Sequence, residues 1–138
     1  MIKGIHHTAL AVPDIDDALA FYCGVLGFEV GMNVDLPDGL LEEPFGIDRA
    51  ACRVRMIHKG GTAIELFEFG HSEPGEAKRP VNRVGITHIA LASDDVPADV
   101  VTLEAAGVVF NSAVQGESPD QWCYGRDPFG NVIEVIEG

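Results

Sequence analysis

From Ile5 to Val12 the side chains alternate, with Thr8, Leu10 and Val12 on one side and His7, Ala9 and Ala11 on the other. This is the period of a strand. Pro13-Asp14 ends it, and Asp14 is placed to cap a helix whose first turn carries Asp16 and Asp17, where carboxylates suit the positive end of the helix dipole. Ile15, Leu19, Tyr22 and Leu26 fall at helical spacing, and Gly24 and Gly27 mark the exit before a strand that begins at Phe28. The turn-rich stretch from Asp35 to Ala50 is long for a connection and reads as a lid over a site. Two further strands, about Cys52 to His58 and Thr62 to Phe69, meet in a hairpin at Lys59-Gly60-Gly61.

From Gly70 to Arg83 the chain turns to Gly, Pro, Ser and charge, the composition of a linker, and then the cycle restarts. Ile86 to Ala92 reads as a strand, Pro97 to Ala106 as a helix ended by Gly107, and Val108 to Ala113, Trp122 to Arg126 and Asn131 to Ile136 as strands. Asp127-Pro128-Phe129-Gly130 supplies the last turn. The pattern predicts one α+β domain, residues 1–138, made of a first module of about 1–70, a linker of about 71–84 and a second module of about 85–138. Each module runs strand, helix, three strands.

The repetition extends to chemistry. Gly4-Ile5-His6-His7-Thr8-Ala9-Leu10-Ala11 returns as Gly85-Ile86-Thr87-His88-Ile89-Ala90-Leu91-Ala92, displaced by 81 positions. Gly61-Thr62-Ala63-Ile64-Glu65-Leu66-Phe67-Glu68 returns as Gly130-Asn131-Val132-Ile133-Glu134-Val135-Ile136-Glu137, displaced by 69. A carboxylate within an apolar strand either faces water or must be paired. One such glutamate decides nothing. The coincidence of both echoes points to His7, Glu65, His88 and Glu134 as ligands of one divalent cation, with the two carboxylates balancing its charge. Ni²⁺, Co²⁺, Zn²⁺, Mn²⁺ and Fe²⁺ all suit such a set. Glu68 and Glu137 alternate to the opposite strand faces, and His6 to the face opposite His7, which marks His6 as structural. His58 and His71 read as surface residues.

A charge of −13, from 22 acidic against 9 basic residues, disfavours nucleic acid and anionic membrane surfaces as partners. Three cysteines without a Cys-x-x-Cys spacing read as reduced thiols. With no apolar run of membrane-spanning length and no signal-peptide pattern, a cytoplasmic protein is expected. Arg53 and Arg55 share a strand face and could hold a substrate carboxylate or phosphate, although surface charges balancing the acidic excess are the simpler reading. Phe67, Phe69, Trp122 and Tyr124 are cavity candidates that strand aromatics would also explain as core.

Taken together, Phe21-Tyr22 followed by Leu26-Gly27-Phe28, the Ile64-Glu65-Leu66 strand, the repeated Gly-Ile-x-His and the ending Asp127-Pro128-Phe129-Gly130-Asn131-Val132-Ile133-Glu134 resemble the vicinal oxygen chelate superfamily. That superfamily includes glyoxalase I, methylmalonyl-CoA epimerase, extradiol dioxygenases and bleomycin- or fosfomycin-resistance proteins. The resemblance implies two βαβββ modules whose curved mixed sheets enclose a metal-binding cavity, often in a homodimer, and it puts His7, Glu65, His88 and Glu134 on the four ligand positions. Two His and two Glu are closest to bacterial glyoxalase I. One departure is Ala11, where that enzyme has a basic residue, and this weakens the case for glutathione recognition.

The expected activity is a metal-dependent lyase or isomerase acting on a small α-oxygenated carbonyl compound. In that reading Glu134, with Glu65 as its symmetry-related partner, removes a proton beside the carbonyl and returns it. The alternatives are an extradiol-type ring-cleaving dioxygenase and a protein that sequesters an antibiotic.

Overall fold

The computed structural model describes residues 1–72 and 80–138, in two compact units, Met1–Glu73 and Pro74–Gly138. Much of the expected linker, residues 73–79, lies outside the described residues.

In the first unit β1 (Thr8–Ala11) leads into α1 (Ile15–Leu19), and β2 (Glu29–Leu36), a short α2 (Glu42–Phe45), β3 (Cys52–Lys59) and β4 (Thr62–Phe69) follow. The sheet order is β1-β4-β3-β2, with β1 parallel to β4 and the other pairs antiparallel. The second unit repeats the plan with β5 (Ile89–Ser93), α3 (Val96–Ala105), β6 (Val109–Phe110), β7 (Trp122–Arg126) and β8 (Val132–Glu137). Its order is β5-β8-β7-β6, with β5 parallel to β8. Two four-stranded mixed sheets, each from a βαβββ run, are what the sequence pattern predicts.

Local chemistry explains the helix starts. Asp14 has extended backbone and accepts hydrogen bonds from the N–H groups of Asp16 and Asp17 at 2.9 and 3.0 Å. The third orphan donor, Ile15 N–H, goes to Glu68 Oε2 at 2.7 Å. Arg53 ties Asp16 and Glu68 together, at 3.0 and 3.2 Å. In the second unit Asp95 caps Ala98 N–H, and Ser93 donates to Asp99 at 2.6 Å.

The expected regular helix after Asp14 changes winding at Ala20. Residues 20–25 form a π-helical stretch, and Leu26 N–H reaches back five residues to the Phe21 carbonyl. Ile15, Ala18, Phe21 and Tyr22 are its buried residues, so Leu19 and Leu26, read as core from a 3.6 period, give way to Ala18 and Phe21. Four further strand bounds differ from expectation. The strands expected at 5–12 and 86–92 shorten at their N-terminal ends, β6 holds two residues of the six expected, and β2 runs to Leu36.

On the helix-facing side of the sheets, Ile57, Ile64, Leu66, Ile133, Val135 and Cys123 are almost fully buried. Leu66→Ala is expected to lower unfolding stability by about 2–5 kcal/mol, the usual cost of a cavity at such a position. Urea unfolding checks it, and a loss below about 1 kcal/mol would place the core elsewhere. No helix among the described residues is long and apolar enough to cross a membrane.

Candidate metal centre

Strand register fixes which side chains share a face. Glu65 lies on β4 between Ala9 of β1 and Met56 of β3. Glu134 lies on β8 between Ala90 of β5 and Tyr124 of β7. Ala9, Ala11, Ala90 and Ala92 are exposed, so small side chains leave the glutamate face of each sheet open beside the carboxylate. Glu68 and Glu137 fall on the other face, as alternation predicts, and serve structure there. Glu68 holds the start of α1, and Glu137 accepts from Ser118 Oγ at 2.5 Å and Gln121 N–H at 3.3 Å.

Each unit brings its histidine to its glutamate. His7 Nε2 lies 3.1 Å from Glu65 Oε2, and His88 Nε2 lies 3.1 Å from Glu134 Oε2. Both histidines stand one residue before their strand begins, not within it. The rings are about a third exposed and the carboxylates mostly covered, at 33% and 15% in the first pair and 28% and 12% in the second.

Each imidazole is held at its other nitrogen by the residue before it. His7 Nδ1 lies 2.9 Å from His6 Nδ1, and His88 Nδ1 lies 2.7 Å from Thr87 Oγ1. With the proton on Nδ1, each Nε2 lone pair points toward the neighbouring carboxylate, the arrangement in which an imidazole binds a metal. This corrects the reading of His6. Strand alternation does not govern residues 6 and 7, which precede β1, and His6 sits beside the candidate ligand. Thr87 was likewise missed; its place before a repeated histidine was the available signal.

A pair of donors is too few for a tightly held cation, and among the described residues no group of three or more His, Cys, Asp or Glu side chains gathers. Each unit presents one matched imidazole–carboxylate pair.

Surroundings differ between the pairs. Tyr124 stands opposite Glu134 in register and packs edge-on against His88, with ring centroids 5.0 Å apart. Burial first, and then the Glu134 carboxylate, push the Tyr124 phenol upward. In the first unit Phe67 and Phe69 stack at 5.5 Å, and Phe45 of α2 meets both edge-on. The Asp35 to Ala50 stretch therefore packs an aromatic ring on the face that bears Glu65, with Leu36 and Leu41 beside it.

The arginines behave differently from expectation. Arg55 is buried, and its guanidinium donates to Asp35 at 2.9 Å and to the Val34 and Val54 carbonyls. Burial with these acceptors makes it an internal crosslink, and Arg53 is committed to Asp16 and Glu68. Both stand on the face opposite Glu65, so neither is placed to hold a substrate bound there. His58 and His71 are exposed, as read. Cys23, Cys52 and Cys123 are free thiols.

The family model described as Glyoxalase/Bleomycin resistance protein/Dioxygenase superfamily matches residues 4–135. The chain belongs to this superfamily. Among proteins similar to it is the 2-epi-5-epi-valiolone epimerase of Actinomyces sp, 28% identical, with 96% of this chain and 78% of that protein covered. Another is the ethylmalonyl-CoA/methylmalonyl-CoA epimerase of Cereibacter sphaeroides, 32% identical over 78% of this chain and 73% of that protein. The fold is shared with a glyoxalase family protein from Bacillus cereus, at a TM-score of 0.87 and 20% identity, covering 99% of this chain and 95% of that one.

Proposed function

We propose that this superfamily member is a metal-dependent isomerase or lyase that enolises a small α-oxygenated carbonyl compound, with His7, Glu65, His88 and Glu134 as ligands of one divalent cation. The observation that supports it best is the same His–Glu pair recurring at 3.1 Å in both halves, each imidazole braced at Nδ1. Two pairs together supply the donors that one pair lacks, whether they come from one chain or from two copies in a homodimer. The epimerases among the relatives favour proton transfer over ring cleavage.

A bound Ni²⁺, Co²⁺, Zn²⁺, Mn²⁺ or Fe²⁺ would supply Lewis-acid stabilisation of negative charge on two neighbouring substrate oxygens. His7 and His88 hold their Nε2 lone pairs in place through Nδ1. The carboxylate of Glu134 or Glu65 takes the proton from the carbon beside the carbonyl, the electron pair left behind moves onto the carbonyl oxygen, and the same group returns the proton to an adjacent or opposite position. The open alanine face leaves room for the substrate beside the carboxylates.

Loading the purified protein with each cation and counting bound metal should give one per chain. Hemithioacetals and acyl-CoA thioesters incubated with the loaded protein in D₂O should then yield product labelled at the carbon beside the carbonyl. Oxygen uptake with catechols would favour a dioxygenase. Failure to bind any of the cations, with no gain in thermal stability on their addition, would favour a small-molecule binding protein.

A further inference from the structure

At the hairpin end of the first sheet, next to the Glu65 face, lies a cavity of about 520 Å³, within the size range of small-molecule sites. The side chains of His6, Glu29, His58, Lys59 and Thr62 stand round it. We infer that this cavity holds the non-reacting end of the substrate, and that this end is neutral and rich in hydroxyl groups, so that the substrate is a sugar-like hydroxycarbonyl compound. This rests on the metal site proposed above and names the class of compound that reaches it.

Register ties the cavity to the first His–Glu pair. Ala63, which also lines it, precedes Glu65 by two residues on β4, so the two share a face about 7 Å apart. His58 pairs with Ala63 and Glu29 pairs with His58, which puts all three on that face. His6 bridges the two places, since it lines the cavity and its Nδ1 meets His7 Nδ1 at 2.9 Å. A substrate chelated beside Glu65 therefore needs only a short carbon chain to enter the cavity.

The lining offers donors and acceptors side by side. Among the described residues the side chains of Glu29 and His58 make no hydrogen bond or ion pair. Lys59 gives one of its three N–H donors to the Leu26 carbonyl, and Thr62 donates its hydroxyl proton to the Lys59 carbonyl at 2.7 Å. The remaining ammonium donors and the lone pairs of the hydroxyl are left for a ligand. With His7 donating from Nδ1, a neutral His6 carries its own proton on Nε2. A phosphate or carboxylate in the cavity would meet Glu29, in a chain whose charge is already −13, and an ammonium would meet Lys59. A hydroxyl group donates and accepts at once, so a run of hydroxyls suits both kinds of partner.

Gly31 gives the His58 ring its seat. A Cβ at residue 31 would stand 2.7 Å from His58 Nε2, although the backbone there is one that alanine can adopt, so glycine is needed to leave the ring where it lies.

The test uses the full-length protein loaded with Mn²⁺ and measures uptake of deuterium beside the carbonyl by mass spectrometry. Xylulose should exceed hydroxyacetone in kcat/KM about tenfold or more, the worth of a pair of hydrogen bonds to its extra hydroxyls, and its terminal phosphate ester should gain nothing over it. Glu29→Ala and His58→Ala should each cut the xylulose-to-hydroxyacetone ratio about three- to tenfold while the metal content stays the same. Gly31→Ala should act like His58→Ala, by turning the ring out of its seat. In the metal-free protein the His58 ring resonances should shift on adding xylulose and stay in place with hydroxyacetone. A wild-type ratio near one, a preference for the phosphate ester or for an acyl-CoA thioester, substitutions that leave the ratio alone, or His58 resonances that ignore xylulose would overturn the inference while leaving the metal site standing. A wild-type protein that takes up no cation would overturn both.

Discussion

Glu65→Gln is expected to slow exchange of the substrate's α-proton with solvent deuterium by about 10²–10⁴-fold, the span that a positioned general base contributes. Loss of the proton carrier should persist at saturating metal, whereas loss of a ligand alone should be rescued by it. Glu134→Gln should be slowed over a similar span, since either carboxylate is placed to carry the proton. Deuterium incorporation, followed by NMR across a metal titration, separates the two. The variant that saturating metal fails to rescue has lost the base; if both variants exchange at the wild-type rate, neither glutamate is the base.

The second large effect concerns the histidines. His7→Ala or His88→Ala removes one member of a braced pair, and either alone should leave the protein free of metal after dialysis, as elemental analysis would show. Retention of a full complement of metal by either variant would remove that histidine from the ligand set. A mixing experiment reveals whether a site draws on two copies. A variant broken in the first unit, His7→Ala with Glu65→Ala, is unfolded and refolded together with one broken in the second, His88→Ala with Glu134→Ala. If each site takes one pair from each copy of a dimer, random pairing restores roughly a quarter of the wild-type metal content. If each chain builds its own site, the mixture binds no more metal than its components.

Much of this was legible before any coordinates. The echo of His7 in His88 and of Glu65 in Glu134 needed only the sequence, and strand alternation placed Glu65 and Glu68 on opposite faces. The doubled βαβββ order followed from apolar periodicity and from turn residues such as Gly60-Gly61, whose φ values of 56° and 79° are what a two-residue hairpin turn of this kind requires. Other features were hidden for physical reasons. The π-helical stretch from Ala20 has no signature in a 3.6-residue pattern. Arg55 looked like a surface charge because its acceptors, Asp35 and two carbonyls, come together only when β2 pairs with β3. Tyr124 was one aromatic among several. Its match to Met56 emerges only from register, since the turn between β3 and β4 is shorter than that between β7 and β8 and no single displacement aligns the two halves.

The longer of those turns is held together by one side chain. Asp127 is buried, and its carboxylate accepts the N–H groups of Phe129 and Asn131 and the Asn131 side-chain amide at 3.0, 2.8 and 2.9 Å. That knot sets how far β8 is threaded against β7. Strand side chains point to alternate sides, so adding or removing one residue there, with β7 held in place, would send Glu134 to the helix side and offer Ile133 or Val135 in its stead. A bend outside the proposed site thus decides which residue of β8 enters it, and evolution can edit the neighbouring loops far more freely than it can change the number of residues in this one.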